Sequence, residues 1–305
     1  TLFRSHRDFY GTLPFLVVAA RDAEGRPWAT LLTGRPGFAS SPDPRRLVVA
    51  ARPGPGDALA GSLAPGADVG ILGLEPATRR RNRVNGRIIA AGPAGLELAV
   101  DQAFGNCPQH IRPRRWRWDA LPPSRPSVTR TRALTPAMIE RITGADTLFI
   151  ASGHRREGES AAYGMDASHR GGPRGFVKVE GERRIIIPDL AGNNHFNTVG
   201  NLVVDDRAGL LFVDFAGGGL LQITGRVSID WSSPAVAQHP GAQRLLVLEV
   251  DEAIERPAAL PLRFDDAEPA RTLRVVARRR ESDDVVSLVL AARDGGLRLR
   301  RSWTR

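Results

Sequence analysis

The residues best equipped for chemistry in this sequence are those that could hold an anion. From Asp166 to Gly172 the chain reads Asp-Ala-Ser-His-Arg-Gly-Gly. Ser168 and Arg170 are hydrogen-bond donors, and Gly171 and Gly172 let backbone N–H groups approach an anion closely. The competing reading is a glycine-rich hairpin turn with a solvated arginine. Asn193 and Asn194 follow Gly192 and precede an expected helix near Phe196–Val203, where they suit capping or phosphate contact. Asn197, Thr198 and Asn201 would share one face of that helix. Two arginine clusters, Arg79, Arg80, Arg81 and Arg83, then Arg112, Arg114, Arg115 and Arg117, read as a solvated face or as an anion site. Cys107 reads as a buried packing residue or as a reactive thiol. His169 and His195 are embedded in these motifs, and a lone histidine is more often structural. No His, Cys, Asp and Glu grouping has metal-ligand spacing, so no metal is expected. Serine triads, paired carboxylates, P-loops and dinucleotide fingerprints are not found.

The elements that must position these residues form an internal repeat. Leu13 to Leu32 and Asp146 to Met165 each read as an apolar β-rich run, a polar turn with glycine (Gly25, Gly158) and a second short strand. Gly34-Arg35-Pro36-Gly37-Phe38 answers Gly172-Pro173-Arg174-Gly175-Phe176. Gly70-Ile71-Leu72 answers Gly209-Leu210-Leu211, and Val84-Asn85-Gly86-Arg87 answers Ile223-Thr224-Gly225-Arg226. The interval from Gly70 to Gly86 equals that from Gly209 to Gly225, so order and spacing both recur. Each unit carries about six short strands, the pattern of a small antiparallel barrel or sandwich. Helices are few; one opens at Thr135 as N-cap with Pro136 at its first position, and Gly144 ends it. The proline-containing stretch Leu121–Leu134 reads as the linker between units, and Glu255–Ala270 as a second linker. Two strand-like runs, Arg274–Ala277 and Val285–Leu290, follow, too short to make a core of their own.

At 305 residues the chain suits two domains of ordinary size. Its single cysteine forbids an intrachain disulfide and makes a reducing cytoplasm the expected compartment. No apolar run approaches the roughly 18–20 residues that span a bilayer, so no membrane role is expected. The chain opens at Thr1 rather than methionine, and an upstream piece is expected. The net charge of +10 invites a nucleic-acid reading. Lys178 is the sole lysine among the basic residues and aromatics are few, so the charge reads as arginine-rich composition rather than a nucleic-acid surface.

Three further phrases join the Gly164–Gly172 and Gly175-Phe176-Val177 pair: Ile187-Pro188-Asp189 with Gly192-Asn193-Asn194, Asn197–Leu202, and Gly209–Asp214. Together they resemble the flavin-binding split barrels of the pyridoxamine 5′-phosphate oxidase superfamily. Phe104-Gly105-Asn106-Cys107-Pro108-Gln109-His110-Ile111 resembles one tandem-domain branch of it, and the likeness runs from about Arg4 to Ile254. The resemblance implies a mainly β fold of two tandem split β-barrels with a few short helices. Residues 1–125 would form the first unit, 126–134 the linker and 135–254 the second unit. It implies flavin mononucleotide (FMN) held by Asp166, Ser168, His169, Arg170, Gly171, Asn193, Asn194, Asn197, Thr198 and Asn201. Arg81, Arg83, Cys107 and Gln109 would form the partner wall. The first half lacks the Asp-x-Ser-x-Arg segment, so it is expected to have lost its own phosphate loop. No catalytic residue stands out. The implied activity is flavin-mediated redox chemistry on a small molecule, with a separate reductase or NAD(P)H as electron source and a homodimer compatible with it. The alternative is a non-catalytic flavin or haem-like ligand-binding module. Residues 255–305 combine the second linker with a tail that resembles the opening of a ferredoxin-reductase-type domain, stops short of completing one, and holds no cysteine cluster.

Overall fold

The computed structural model describes residues 1–119, 127–154, 160, 162–192, 196–267, 273–280, 285–292 and 298–304. Helix α1 (Arg4–Thr12) precedes a seven-stranded antiparallel sheet. Its strands are β1 (Phe15–Arg21), β2 (Pro27–Thr33), β3 (Ala39–Ser40), β4 (Arg46–Val49), β5 (Asp68–Glu75), β6 (Arg80–Gly92) and β7 (Gly95–Gly105). Strands β8 (Arg114–Trp118) and β9 (Thr129–Thr131) and helix α2 (Pro136–Gly144) follow. The second large sheet holds β10 (Thr147–His154), β11 (Gly164–Gly171), β12 (Lys178–Glu180) and β13 (Arg184–Leu190). After helix α3 (Asn197–Val204) come β14 (Arg207–Val213), β15 (Leu220–Asp230), the short helix α4 (Pro234–Ala237) and β16 (Ala242–Arg256). The first sheet is ordered β2-β1-β5-β6-β7-β4-β3 and the second β11-β10-β14-β15-β16-β13-β12. The two orders match position for position. The fold is mainly β with few helices, as the sequence leads one to expect.

Helix α2 begins as expected: the Thr135 hydroxyl accepts from the Met138 N–H, and Met138 and Ile142 are buried. Part of the expected first linker is strand, since β9 pairs with β16; residues 120–126 lie outside the described residues. Within the expected second linker, Leu262–Asp266 forms β17, paired with β8. The reason is that Leu262 and Phe264 are buried beside Phe15 and Phe149, a long-range use of apolar residues that local proline content hides. The segment Thr1–Asp266 forms one compact unit, and Ala267–Arg305 forms another. That second unit is a three-stranded sheet of β18 (Leu273–Arg280), β19 (Val285–Ala292) and β20 (Arg298–Thr304). The third of these strands goes beyond the two runs read from sequence.

The apolar runs of β1 and β10 are continuous because both of their faces are buried. On β1, Leu16, Val18 and Ala20 point into the core of the first sheet. Phe15, Val17 and Ala19 point instead into a layer shared with Phe149, Ala151, Met165 and Ala167 of the second sheet. Leu148 and Ile150 of β10 belong to the second sheet's own core. Period-2 alternation thus serves three cores, each fully buried Leu or Phe contributing about 1.5–3 kcal/mol.

The two sheets meet through reciprocal contacts. A Cβ on Gly70 of β5 would lie 2.7 Å from the Met165 oxygen and the Asp166 Cα of β11. A Cβ on Gly209 of β14 would lie 2.6 Å from the Pro27 oxygen and the Trp28 Cα of β2. The same pair of positions is used twice, as at a two-fold interface. Gly86 and Gly225 also correspond: each follows a break in register, and a Cβ on either would lie 2.0 Å from a carbonyl of the next strand.

Candidate functional site

Strand registers place the site residues. Ile150 faces Ser168 and Leu148 faces Arg170 across β10 and β11, as Val18 faces Thr30 and Leu16 faces Leu32 across β1 and β2. The segment Asp166–Gly171 is therefore strand, not the glycine-rich loop expected from the sequence, and Asp166, Ser168, His169, Arg170 and Gly171 are all buried. The polar residues Asp166, Ser168 and Arg170 alternate along it with Met165, Ala167 and His169. Such a pattern reads as exposed only when nothing covers it; here β5 and β6 of the first sheet do.

Arg81 and Arg83 of β6 supply that cover. Arg83 donates to both Asp166 oxygens, at 3.3 and 3.2 Å. Arg81 lies 3.2 Å from His169 Nδ1. A guanidinium can only donate, so Nδ1 accepts and the ring is neutral with its proton on Nε2. Burial, then the charges of Arg81 and Arg170, hold the His169 pKa well below the ordinary imidazole value. Ser168 Oγ also donates to Asp166, and the Thr198 hydroxyl of α3 donates to Ser168 at 2.7 Å. Asn201 donates to Ser152 at 3.2 Å, and its side-chain oxygen lies 3.3 Å from His154 Nδ1.

Arg170 and Arg244 both reach Asp189, their Nε atoms 3.3 and 3.4 Å from its two oxygens. Those contacts are close enough for ion pairing yet are not aligned as hydrogen bonds, since both Nε groups lack an acceptor. The same holds for the Nε groups of Arg81 and Arg83. Four largely buried guanidiniums thus face two carboxylates, Asp166 and Asp189, with four N–H donors unused among the described residues. Burial, with Arg83 and Arg170 adding repulsion, pulls the Arg81 pKa down to about 10. Buried cations in excess are expensive unless an anion joins them. The chemical implication is a phosphate or carboxylate receptor.

Residues of the first half also close on the end of β11. A Cβ on Gly171 would lie 2.1 Å from the His110 carbonyl, and one on Gly192 would overlap the Gln109 side chain. His110 Nε2 lies 2.9 Å from the Ala191 carbonyl, so the segment Cys107–Ile111 covers the end of β11 and the turn at Ala191. Cys107 is exposed, which removes its reading as a buried packing residue. Asn197 is half-buried at the start of α3. Asn193, Asn194 and His195 lie outside the described residues. Alternation splits both arginine clusters: Arg81, Arg83 and Arg114 are buried, whereas Arg79, Arg80, Arg112, Arg115 and Arg117 are exposed. Arg114 is paired with Asp146, at 2.6 and 2.8 Å.

Sequence reasoning missed Asp189 and Arg244 as members of this cluster. A signal for Asp189 exists: a lone acid in the run Arg184–Leu190 must find a cation once the strand is buried. Nothing in the sequence connects Arg244 to it. Among the described residues, no three His, Cys, Asp or Glu groups converge to hold a metal. No helix of the described residues is long and apolar enough to cross a membrane.

No family model matches this chain, and neither does any curated protein. Among solved structures, HupZ of Group A Streptococcus shares 10% identity at a TM-score of 0.30, over 38% of this chain and 89% of that one. A Lactobacillus delbrueckii protein provisionally named as a pyridoxamine 5′-phosphate oxidase shares 11% at 0.31, over 40% and 94%. The Bacillus subtilis inhibitor of motility shares 10% at 0.23, over 78% and 87%. At these values none of the likenesses assigns a family or an activity to this chain.

Proposed function

We propose that the chain binds FMN between its two sheets and works as an FMN-dependent oxidoreductase on a small molecule, in the manner of the split-barrel flavoproteins its motifs resemble. The carrying observation is the largely buried cluster of Arg81, Arg83, Arg170 and Arg244, whose Nε donors have no hydrogen-bond acceptor among the described residues. A phosphate ester supplies the missing negative charge and several acceptor oxygens at once. Ser168 and Thr198 are already linked to each other and to Asp166, and so hold that carboxylate in place. The residues present therefore fit the phosphate end of the cofactor. Bound there, FMN would supply hydride or electron transfer, which no side chain of this chain can perform alone. The chain's own part is to hold the phosphate with arginines, keep His169 neutral against Arg81, and cover the site with the Cys107–Ile111 segment.

In this reading the matching sheets descend from duplication of one unit, and together they stand where two subunits of a dimer would. Electrons come from a separate reductase or from NAD(P)H. A flavin carrier without turnover would share the same phosphate contacts, and reduction of bound flavin by NADH or NADPH distinguishes the two. The decisive experiment is FMN titration of the apoprotein. Arg81→Ala and Arg170→Ala should each weaken binding by about one to two decades, the worth of a charge-assisted contact of roughly 1.5–3 kcal/mol. Unchanged affinity in both variants would end the assignment of this cluster to the phosphate.

A further inference from the structure

The two-fold arrangement creates a second position equivalent to the arginine cluster, and its contents differ. In register with Asp166, Ser168, His169 and Arg170 stand Trp28, Thr30, Leu31 and Leu32. By the registers of β5–β6 and β14–β15, the counterparts of Arg81 and Arg83 in the second sheet are Leu220 and Gln222. One carboxylate fills the middle of this region. Asp57 accepts from the Thr30 hydroxyl, from Arg256, from Gln222 Nε2 at 3.3 Å and from the Leu59 N–H at 2.9 Å. Asp57, Arg256, Thr30 and Gln222 are all buried. A hydroxyl in register with Ser168, an arginine and a backbone N–H thus converge on a single acidic group.

We infer that Asp57 is a built-in occupant of a second anion site, so that the chain takes one phosphate-bearing ligand rather than two. The one-ligand count rests on the flavin reading above; the occupancy by Asp57 does not. A cavity of about 240 Å³ opens beside Asp57 and Trp28, and Asp22, Glu24, Arg26 and Arg130 also line it. Arg26 is tied to Asp22 and Glu252, and Arg130 to Glu252, which leaves Arg256 as the cation that loss of Asp57 would strand. The class of ligand for the vacated site is a small oxyanion. The cavity is lined on one side by Trp28, where the first site has Asp166.

The test measures thermal midpoints against inorganic phosphate, in an Arg170→Ala background that weakens the first site. Phosphate should leave Arg170→Ala nearly unmoved, yet raise the midpoint of Asp57→Ala/Arg170→Ala by several degrees, the rise growing with the logarithm of phosphate concentration. Asp57→Asn/Arg170→Ala keeps the side-chain volume and should show a smaller rise of the same kind. Adding Arg256→Ala should abolish the rise in either variant. No phosphate-dependent rise in both the Ala and Asn variants, or a rise that survives Arg256→Ala, overturns the inference. Failure of the flavin reading is seen separately, as unchanged FMN affinity of the single Arg170→Ala variant.

Discussion

The two equivalent contact regions between the sheets have opposite electrostatic outcomes. Around Asp57 the charges balance: one carboxylate meets one guanidinium, and Gln222 and Thr224 donate to the Ala29 and Pro27 carbonyls at 2.9 Å each. Around Asp166, among the described residues, they do not, with four arginines against two aspartates. Asn82 and Asn85, in register with Leu221 and Thr224, each keep a buried side-chain oxygen without a hydrogen-bond partner among the described residues. One backbone arrangement therefore supports a balanced charge pair on one side and an arginine-rich cluster on the other. The difference is made by a few side chains, which teaches that equivalence of fold does not carry equivalence of site.

The sharpest way to break this comparison is to remove one arginine from each side. Arg256→Ala strands the buried Asp57 carboxylate and should cost about 3–5 kcal/mol in urea unfolding. Arg81→Ala removes a buried cation that has no carboxylate of its own, so without ligand its effect should be far smaller. Comparable losses would mean that both regions are structural. Gly70→Ala and Gly209→Ala probe what the two sides share. Each new Cβ would lie under 3 Å from opposing backbone, and each should cost about 1–3 kcal/mol by equilibrium unfolding. A loss confined to one of them would break the two-fold relation of the contact.

A smaller effect should separate the sides by pH. Folded His169 resists protonation, while the unfolded chain takes up a proton below its ordinary value of 6.5. The unfolded state then binds more protons, so this residue's contribution makes stability fall as pH drops below about 6.5. In His169→Gln that part of the slope should vanish. Its register counterpart Leu31 cannot titrate, so Leu31→Val should leave the slope as it is in the parent. Identical pH slopes in the parent and His169→Gln would mean that the ring is not held neutral.

The sequence by itself determined the class of fold. Period-2 apolar runs, glycine turns and the equal Gly70–Gly86 and Gly209–Gly225 intervals are local facts, and strand formation and bulges follow from local chemistry. It also determined the capped start of α2, because Thr135 and Pro136 act within one turn. The sequence pointed to Arg170, Arg81 and Arg83, yet it could not say that the Asp166–Gly171 segment is a buried strand. That required β6, some eighty positions earlier, to lie across it. Nor could it connect Asp189 with Arg244, or Asp57 with Arg256, because burial of a charge is decided by whichever distant element covers it. Tertiary structure alone decided which side of the contact closed on its own carboxylate and which kept its positive charge unmatched, since a buried charge is balanced by neighbours in space and not by neighbours in the chain.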